Sequence, residues 1–273
     1  MKVTRSLLSG VVVLGLLVAM FTVVLTGTSI AATTVLGTCT VITPSSSTVI
    51  SAPGFYCLNA NSNISLSSGR AITINASNVV LDLNGYTMTN TNGSNTADGI
   101  TTTASPANVT IRNGKIVGYM RGISFQTGSK YVVENMTVDS AAETGIDVEA
   151  SNSIVRNNIV RGARSLIVVC GSDVRVLDND VVNTSMDNGN LSGIDSCLGS
   201  TPRLIVEGNR IANLGVNNGN GIYLDDALVI NNRIINWAIG VNGNQGSCKY
   251  RDNLFMNVGV ESNGCLSVGN NNN

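Results

Sequence analysis

Hydrophobic positions in this chain fall in short β-branched runs that return at a fixed interval. Ile111-Arg112-Asn113-Gly114-Lys115-Ile116, Val133-Glu134-Asn135-Met136-Thr137-Val138, Val155-Arg156-Asn157-Asn158-Ile159-Val160 and Leu177-Asp178-Asn179-Asp180-Val181-Val182 align position by position. The third place holds Asn113, Asn135, Asn157 and Asn179, each 22 residues after the last. Self-similarity at this period signals a repeat architecture. A β-branched run, a residue that tolerates the left-handed αL region, and a second β-branched run predict two strands joined at a bend. No helical spacing of apolar residues runs through the unit.

The same beat extends in both directions. Upstream, Ala71-Ile72-Thr73-Ile74 and Val79-Val80-Leu81-Asp82-Leu83 alternate at period 2, and Asn84-Gly85 signals a turn. Downstream, Gly208, Asn232 and Asp252 are expected to take the Asn place. A further strand follows a glycine in Gly122-Ile123-Ser124-Phe125, Gly145-Ile146-Asp147-Val148, Gly193-Ile194-Asp195-Ser196 and Gly221-Ile222-Tyr223-Leu224. Ser165-Leu166-Ile167-Val168 and Gly240-Val241-Asn242-Gly243 fill that place less regularly.

Ahead of the repeats, Met1 to Ala32 reads as a secretory leader: basic Lys2 and Arg5, an apolar Leu7–Leu25, then small residues at Thr28–Ala32. An uncleaved leader would be the chain's route to a membrane. Residues 33–70, punctuated by Pro44, Pro53 and Gly54, are expected to cap the stack. Residues 71–268 form the repeat domain, and 269–273 a disordered polar tail.

Composition agrees with stacked short strands around a narrow aliphatic core. Only 12% of residues are charged and 4% aromatic, with 29 glycines and 4 prolines among 273 residues. Loss of the leader removes Lys2 and Arg5 from 16 basic residues and none of the 17 acidic ones, leaving a balance of −3. That charge speaks against nucleic acid as a partner. All six cysteines follow the leader, which fits an oxidising, extracellular or periplasmic location. Pairing of neighbours, Cys39–Cys57, Cys170–Cys197 and Cys248–Cys265, is the simplest of the possible connectivities.

Gly-Ile-x-Val followed by x-Val-x-Asn-Asn-x-Ile resembles the parallel β-helix repeat of the pectin-lyase-like superfamily, over roughly 71–268. The resemblance implies an all-β, single-stranded right-handed parallel β-helix of about eight coils with an N-terminal cap. It also implies three strands per coil, with the repeated Asn stacked as an amide ladder. Asn113, Asn135, Asn157 and Asn179 are therefore expected to be structural. That superfamily hosts polysaccharide lyases, glycoside hydrolases, epimerases, esterases and proteins without known chemistry, so the site must decide the function.

Candidate chemistry lies where the 22-residue beat breaks. Two insertions, Asn183–Ser192 and Asn213–Asn220, fall just before consecutive Gly-Ile strands and are expected to be neighbours walling a site. Alternation gives the adjoining strands two outward columns: Ser124, Asp147, Ile167, Asp195, Tyr223, Asn242, and Gln126, Glu149, Val169, Cys197, Asp225, Asn244. In that register Cys170 lies one coil and one position from Cys197. Asp195 and Asp225 come out about 8 Å apart, a spacing that suits an inverting carboxylate pair. Asp225-Asp226, with Asp195 on the coil before, resembles the aspartates of polygalacturonase-type hydrolases. The histidine of those enzymes has no counterpart, because the chain contains none. Asp195, Asp225 and Asp226 are the catalytic candidates, and Tyr223, Asp147, Glu149 and Asp187 the candidate substrate contacts. A lyase would use Asp147, Glu149 and Asp195 on Ca²⁺ and Arg203, Lys249 or Arg251 as base. Two function classes remain: an exported non-catalytic solenoid for glycan binding, adhesion or structure, and a polysaccharide-degrading enzyme. A polysaccharide or cell-surface glycan is the partner in either.

Overall fold

The computed structural model describes residues 38–46, 48–93, 96–184, 191–197, 203–216, 218–243 and 248–271. The expected leader lies outside them. They build a right-handed parallel solenoid of about nine turns, with no helix among the described residues.

Ten strands make the first sheet, which we call sheet 1: Thr48–Ile50, Gly69–Ile74, Ala97–Thr102, Arg121–Phe125, Thr144–Val148, Ser165–Val169, Ser192–Ser196, Asn220–Tyr223, Ile239–Asn242 and Val260–Asn263. The other eighteen form sheets 2 and 3. Those two sheets share the eleven-residue strands Ala107–Val117 and Ser129–Asp139, each bent at the αL residue Asn113 (φ 57°) or Asn135 (φ 53°). Within the expected cap, strands between residues 48 and 64 already join the stack. Thr48–Ile50 pairs with Ile72–Ile74, Gly54–Cys57 with Val79–Asp82, and Ser62–Ile64 with Met88–Asn90. That early start accounts for the additional turn.

The core is a stack of equivalent side chains. Ile72, Ile100, Ile123, Ile146, Ile167, Ile194, Ile222 and Val241 follow one another in register and are all fully buried. The glycine before them has a steric reason. A Cβ on Gly145 would sit 2.3 Å from Val160 Cγ1 and 2.6 Å from the Leu166 carbonyl oxygen of the next coil. Trp237, the only tryptophan, is a core anchor: it is fully buried and donates from Nε1 to the Ile211 carbonyl (3.3 Å).

The Asn ladder is real but displaced by one residue. Val155 pairs with Val176 and Arg156 with Leu177, so Asn157 stands opposite Asp178 and Asn158 opposite Asn179. The αL bend runs Asn113, Asn135, Asn157, Asp178, Gly208, Asn231, Asp252. The buried amides are the residues after it: Asn158, Asn179, Asn209, Asn232 and Asn253. Each takes the N–H of its counterpart one coil earlier on Oδ1, and the series begins at Met136 N. Each returns Nδ2 to a valine carbonyl: Val133, Val155, Val176, Val206 and Val229. The turn between two sheets leaves the N–H after the bend without a strand carbonyl; the amide oxygen supplies that bond, and its Nδ2 gives a valine carbonyl of the ladder a second one. Asn271 Oδ1 accepts the last N–H, from Asn253, so the ladder reaches into the segment expected to be a tail. Asn113 and Asn135 instead face outward at the bend, where αL geometry selects them.

All three neighbour disulfides form. Cys170 and Cys197 face each other directly on adjacent coils (Cα–Cα 4.9 Å) rather than one position apart. Val148 pairs with Val169, and Val169 with Ser196, so the strand Ser165–Val169 is shifted by one from the expected register. Leu166, not Ser165, takes the glycine place. With a sequence separation of 27, replacing both Cys170 and Cys197 by Ala should cost about 3 to 4 kcal/mol through loop entropy. A guanidinium unfolding midpoint unchanged from that of the oxidised wild type would contradict this.

Candidate functional site

Sheet 1 differs from the other two in what it shows to solvent. One outward column of sheet 2 contains Phe55, Val80, Val132, Ile154, Ile205 and Leu228. Sheets 2 and 3 carry several ion pairs along the stack, Arg112–Asp82 (2.8 Å), Arg156–Glu134 (2.6 Å), Lys115–Asp139 (3.2 Å) and Arg210–Asp180 (2.6 Å), and sheet 1 carries Arg121–Asp98. On sheet 1 the outward column is Thr73, Thr101, Ser124, Asp147, Val168, Asp195, Tyr223, Asn242. Val49 precedes Thr73 on the first strand. From Thr73 to Asn242 the column is polar at every step but Val168, which occupies the place expected for Ile167. The reason is the one-residue shift in the preceding section, which turns Ile167 into the core.

Asp195 and Tyr223 are direct neighbours across adjacent strands, both half-buried. Burial pushes the Asp195 carboxyl up to about 6, against the stabilising bonds from the Ser192 hydroxyl and the Ser196 backbone. Asp147 lies two coils earlier in the same column and is 6% exposed. Its carboxyl also rises to about 6, through burial first and then Glu149, opposed by the Ser124 hydroxyl and Arg121. Ser124 Oγ donates to Asp147 Oδ2 (3.1 Å). Glu149 is exposed, two residues along from Asp147.

The other candidates part company. Asp225 continues the outward parity of Tyr223 but lies beyond the strand end, beside the Cys170–Cys197 bridge. It is buried, and its backbone N–H donates to Ser196 Oγ (3.2 Å). Asp226 sits at the corner between sheets 1 and 2 with φ 41°, in the αL column of Asn78, Asn108, Lys130, Asn152, Asp173 and Arg203. The turn that carries the chain to the next sheet puts it at the margin of the Asp195 face. Asp187 lies outside the described residues, as does most of its insertion. The insertions do start on adjacent coils, with Asn183 paired to Asn213 and donating from Nδ2 to its Oδ1 (3.0 Å).

The three proposed Ca²⁺ ligands do not converge, since Val168 separates Asp147 from Asp195. Among the described residues no three His, Cys, Asp or Glu side chains gather as a metal centre would need. The proposed bases lie elsewhere too. Lys249 and Arg251 are on sheet 2, and Arg203, at the corner, pairs with Asp173 (2.5 Å). A second polar group on sheet 1 was legible but overlooked. Asp98-Gly99-Ile100-Thr101 and Arg121-Gly122-Ile123-Ser124 share the Gly-Ile frame, and the residue before each glycine points outward. Arg121 clasps Asp98 with two bonds of 3.0 Å.

Residues 53–193 match the family described as the right handed beta helix region. The chain belongs to that family. Among solved structures, this β-helix is similar to the enzymatically active domain of tailspike protein 2 from bacteriophage CBA120, with a TM-score of 0.54 and 15% identity over 86% of this chain and 42% of that one. It is also similar to the Dettilon tailspike protein, with a TM-score of 0.47 and 15% identity over 84% of this chain and 60% of that one. The β-helix thus spans about half the length of these tailspike chains, and at such identity the likeness is one of fold. No curated protein sequence matches the chain.

Proposed function

We propose that this β-helix is an exported, non-catalytic glycan-binding solenoid and that the outer face of sheet 1 is its binding surface. The observation that carries this reading is the outward column of hydroxyl, carboxylate, phenol and amide groups from Thr73 to Asn242, interrupted between them at Val168 alone. Its period of about 4.8 Å makes it a long, regular array of hydrogen-bonding groups. A polyhydroxylated chain offers matching donors and acceptors along its length, and the Tyr223 ring adds a flat apolar surface. Three intramolecular disulfides support an extracellular or periplasmic location. The test is titration calorimetry with cellohexaose, mannohexaose, xylohexaose and hexagalacturonate. Tyr223→Ala should weaken binding of the best of these about tenfold with the fold intact. Equal affinity of wild type and variant would reject the surface.

One observation favours a second reading, a polysaccharide-degrading enzyme. Asp147 and Asp195 share a column and both titrate near 6. A carboxyl held part-protonated near neutrality can act as general acid, and its partner as base. Two coil steps separate their strands by about 9.6 Å, just beyond the inverting range of about 6.5 to 9.5 Å, which side-chain rotation can bridge. This pair replaces Asp195 with Asp225 as the catalytic candidate. Product release from the same oligosaccharides, lost in Asp147→Asn and in Asp195→Asn, would establish it over the non-catalytic reading.

A further inference from the structure

We infer that a notch on sheet 1, between Asp98, Thr101, Arg121 and Ser124, is a subsite that receives one uncharged hydroxyl group of the glycan; this rests on the glycan-binding reading and specifies it. The notch is lined also by Arg70 and Gln126, whose exposed side chains form its mouth, and has room for about one water-sized atom. Its floor is unusual. Thr101 is only 4% exposed, and its Oγ1 has no hydrogen-bond partner among the described residues. Two positions along the same column, Asp147 Oδ1 is likewise buried and unpartnered. Between them stands Ser124, 1% exposed, whose hydroxyl hydrogen is committed to Asp147 Oδ2 and whose oxygen remains able to accept. A buried hydroxyl without a partner is destabilising. Stability alone would favour Val at position 101.

Charge selects the class of group. An anion would meet the Asp98 carboxylate in the lining, and Arg121 is already spent in its two-bond clasp of Asp98. A cation would meet Arg121 and Arg70. An alcohol suits both sides: it accepts from Thr101 Oγ1 and donates to Ser124 Oγ, while Arg70 at the mouth reaches the next ligand oxygen. Thr101 and Tyr223 are five coil steps apart, about 24 Å, so a ligand touching both is an oligosaccharide.

The experiment measures thermal stability and calorimetric affinity of wild type, Thr101→Val, Arg70→Ala and Tyr223→Ala for the four hexasaccharides above. It continues with monodeoxy derivatives of whichever binds best. Thr101→Val is expected to melt at or above the wild-type temperature yet bind about tenfold more weakly. One monodeoxy derivative should lose about tenfold against wild type and nothing against Thr101→Val. If Tyr223→Ala weakens binding and Thr101→Val does not, the notch is a hydration site, and the inference fails while the binding surface stands. If wild type binds none of the four, both fail. A preference for hexagalacturonate that vanishes in Arg70→Ala would overturn the uncharged class.

Discussion

Replacing Asn209 by Ala should lower the unfolding free energy by about 3 to 4 kcal/mol, close to the largest loss a single surface-neutral change can produce in this chain. Asn209 is 1% exposed and makes five side-chain hydrogen bonds. Its Oδ1 accepts from both nitrogens of Asn179 (2.9 Å each), and its Nδ2 donates to the Val176 and Glu207 carbonyls and to Asn232 Oδ1. Alanine leaves the Asn179 N–H buried with no acceptor to replace the amide, and it strips a second bond from the Val176 carbonyl, which keeps its place in the strand ladder. The orphaned N–H costs about 1 to 3 kcal/mol, and the missing amide adds a small void. Asn135 is the control. It is exposed and held at φ 53°, with one long, solvent-exposed bond from its Nδ2 to Asn113 Oδ1 (3.4 Å), so Asn135→Ala forfeits the αL preference and little more, about 1 kcal/mol, and Asn135→Gly less. Guanidinium unfolding of the three variants decides the matter. Equal losses at 135 and 209 would refute the assignment of the ladder to the residue after the bend.

The β-helix should also be less stable at pH 8 than at pH 4.5 through Asp147 and Asp195. Each carboxyl titrates near 6 when folded, against 3.8 ordinarily. The folded state therefore holds these protons more tightly than the unfolded chain. Their favourable contribution is complete below about pH 4 and is lost as the pH rises through about 6. Above that window each buried carboxylate costs on the order of 3 kcal/mol. Asp147→Asn and Asp195→Asn remove the ionisation and nearly keep the shape. The double variant should match wild type near pH 4.5 and exceed it at pH 8. The difference between the two proteins is the informative quantity, because it cancels the ion-paired carboxylates common to both. If that difference stays constant from pH 4 to pH 8, the two groups are not buried as described. A persistence of Asp147 and Asp195 as costly groups is what a working site would show, since Asn in their place would be the more stable choice.

The outward columns show where reading the chain stops. Period-2 alternation assigned Asp147, Asp195 and Tyr223 correctly, because each follows a Gly-Ile pair that pins the register. It failed at Ile167, where no glycine marks the frame and Leu166 takes the glycine place. A slip of one residue exchanges core and surface for the whole strand. It also moved Cys170 from a diagonal to a direct position opposite Cys197. Asp226 lies off that column for a different reason. Alternation holds only within a strand, and an αL residue at the corner resets the direction of the chain.

What the sequence determined by itself is the fold: recurring β-branched runs, αL-tolerant residues and Gly-Ile pairs specify a stack of parallel coils, in which neighbouring cysteines offer the simplest bridges. Those signals are local, and each coil repeats them. Tertiary structure alone decided which Asn is buried, because the coil from Asn158 to Asn179 is one residue short of the period and only strand pairing places the deletion. It alone decided which acids matter, because a carboxyl's affinity for its proton depends on desolvation by neighbours brought in from other coils.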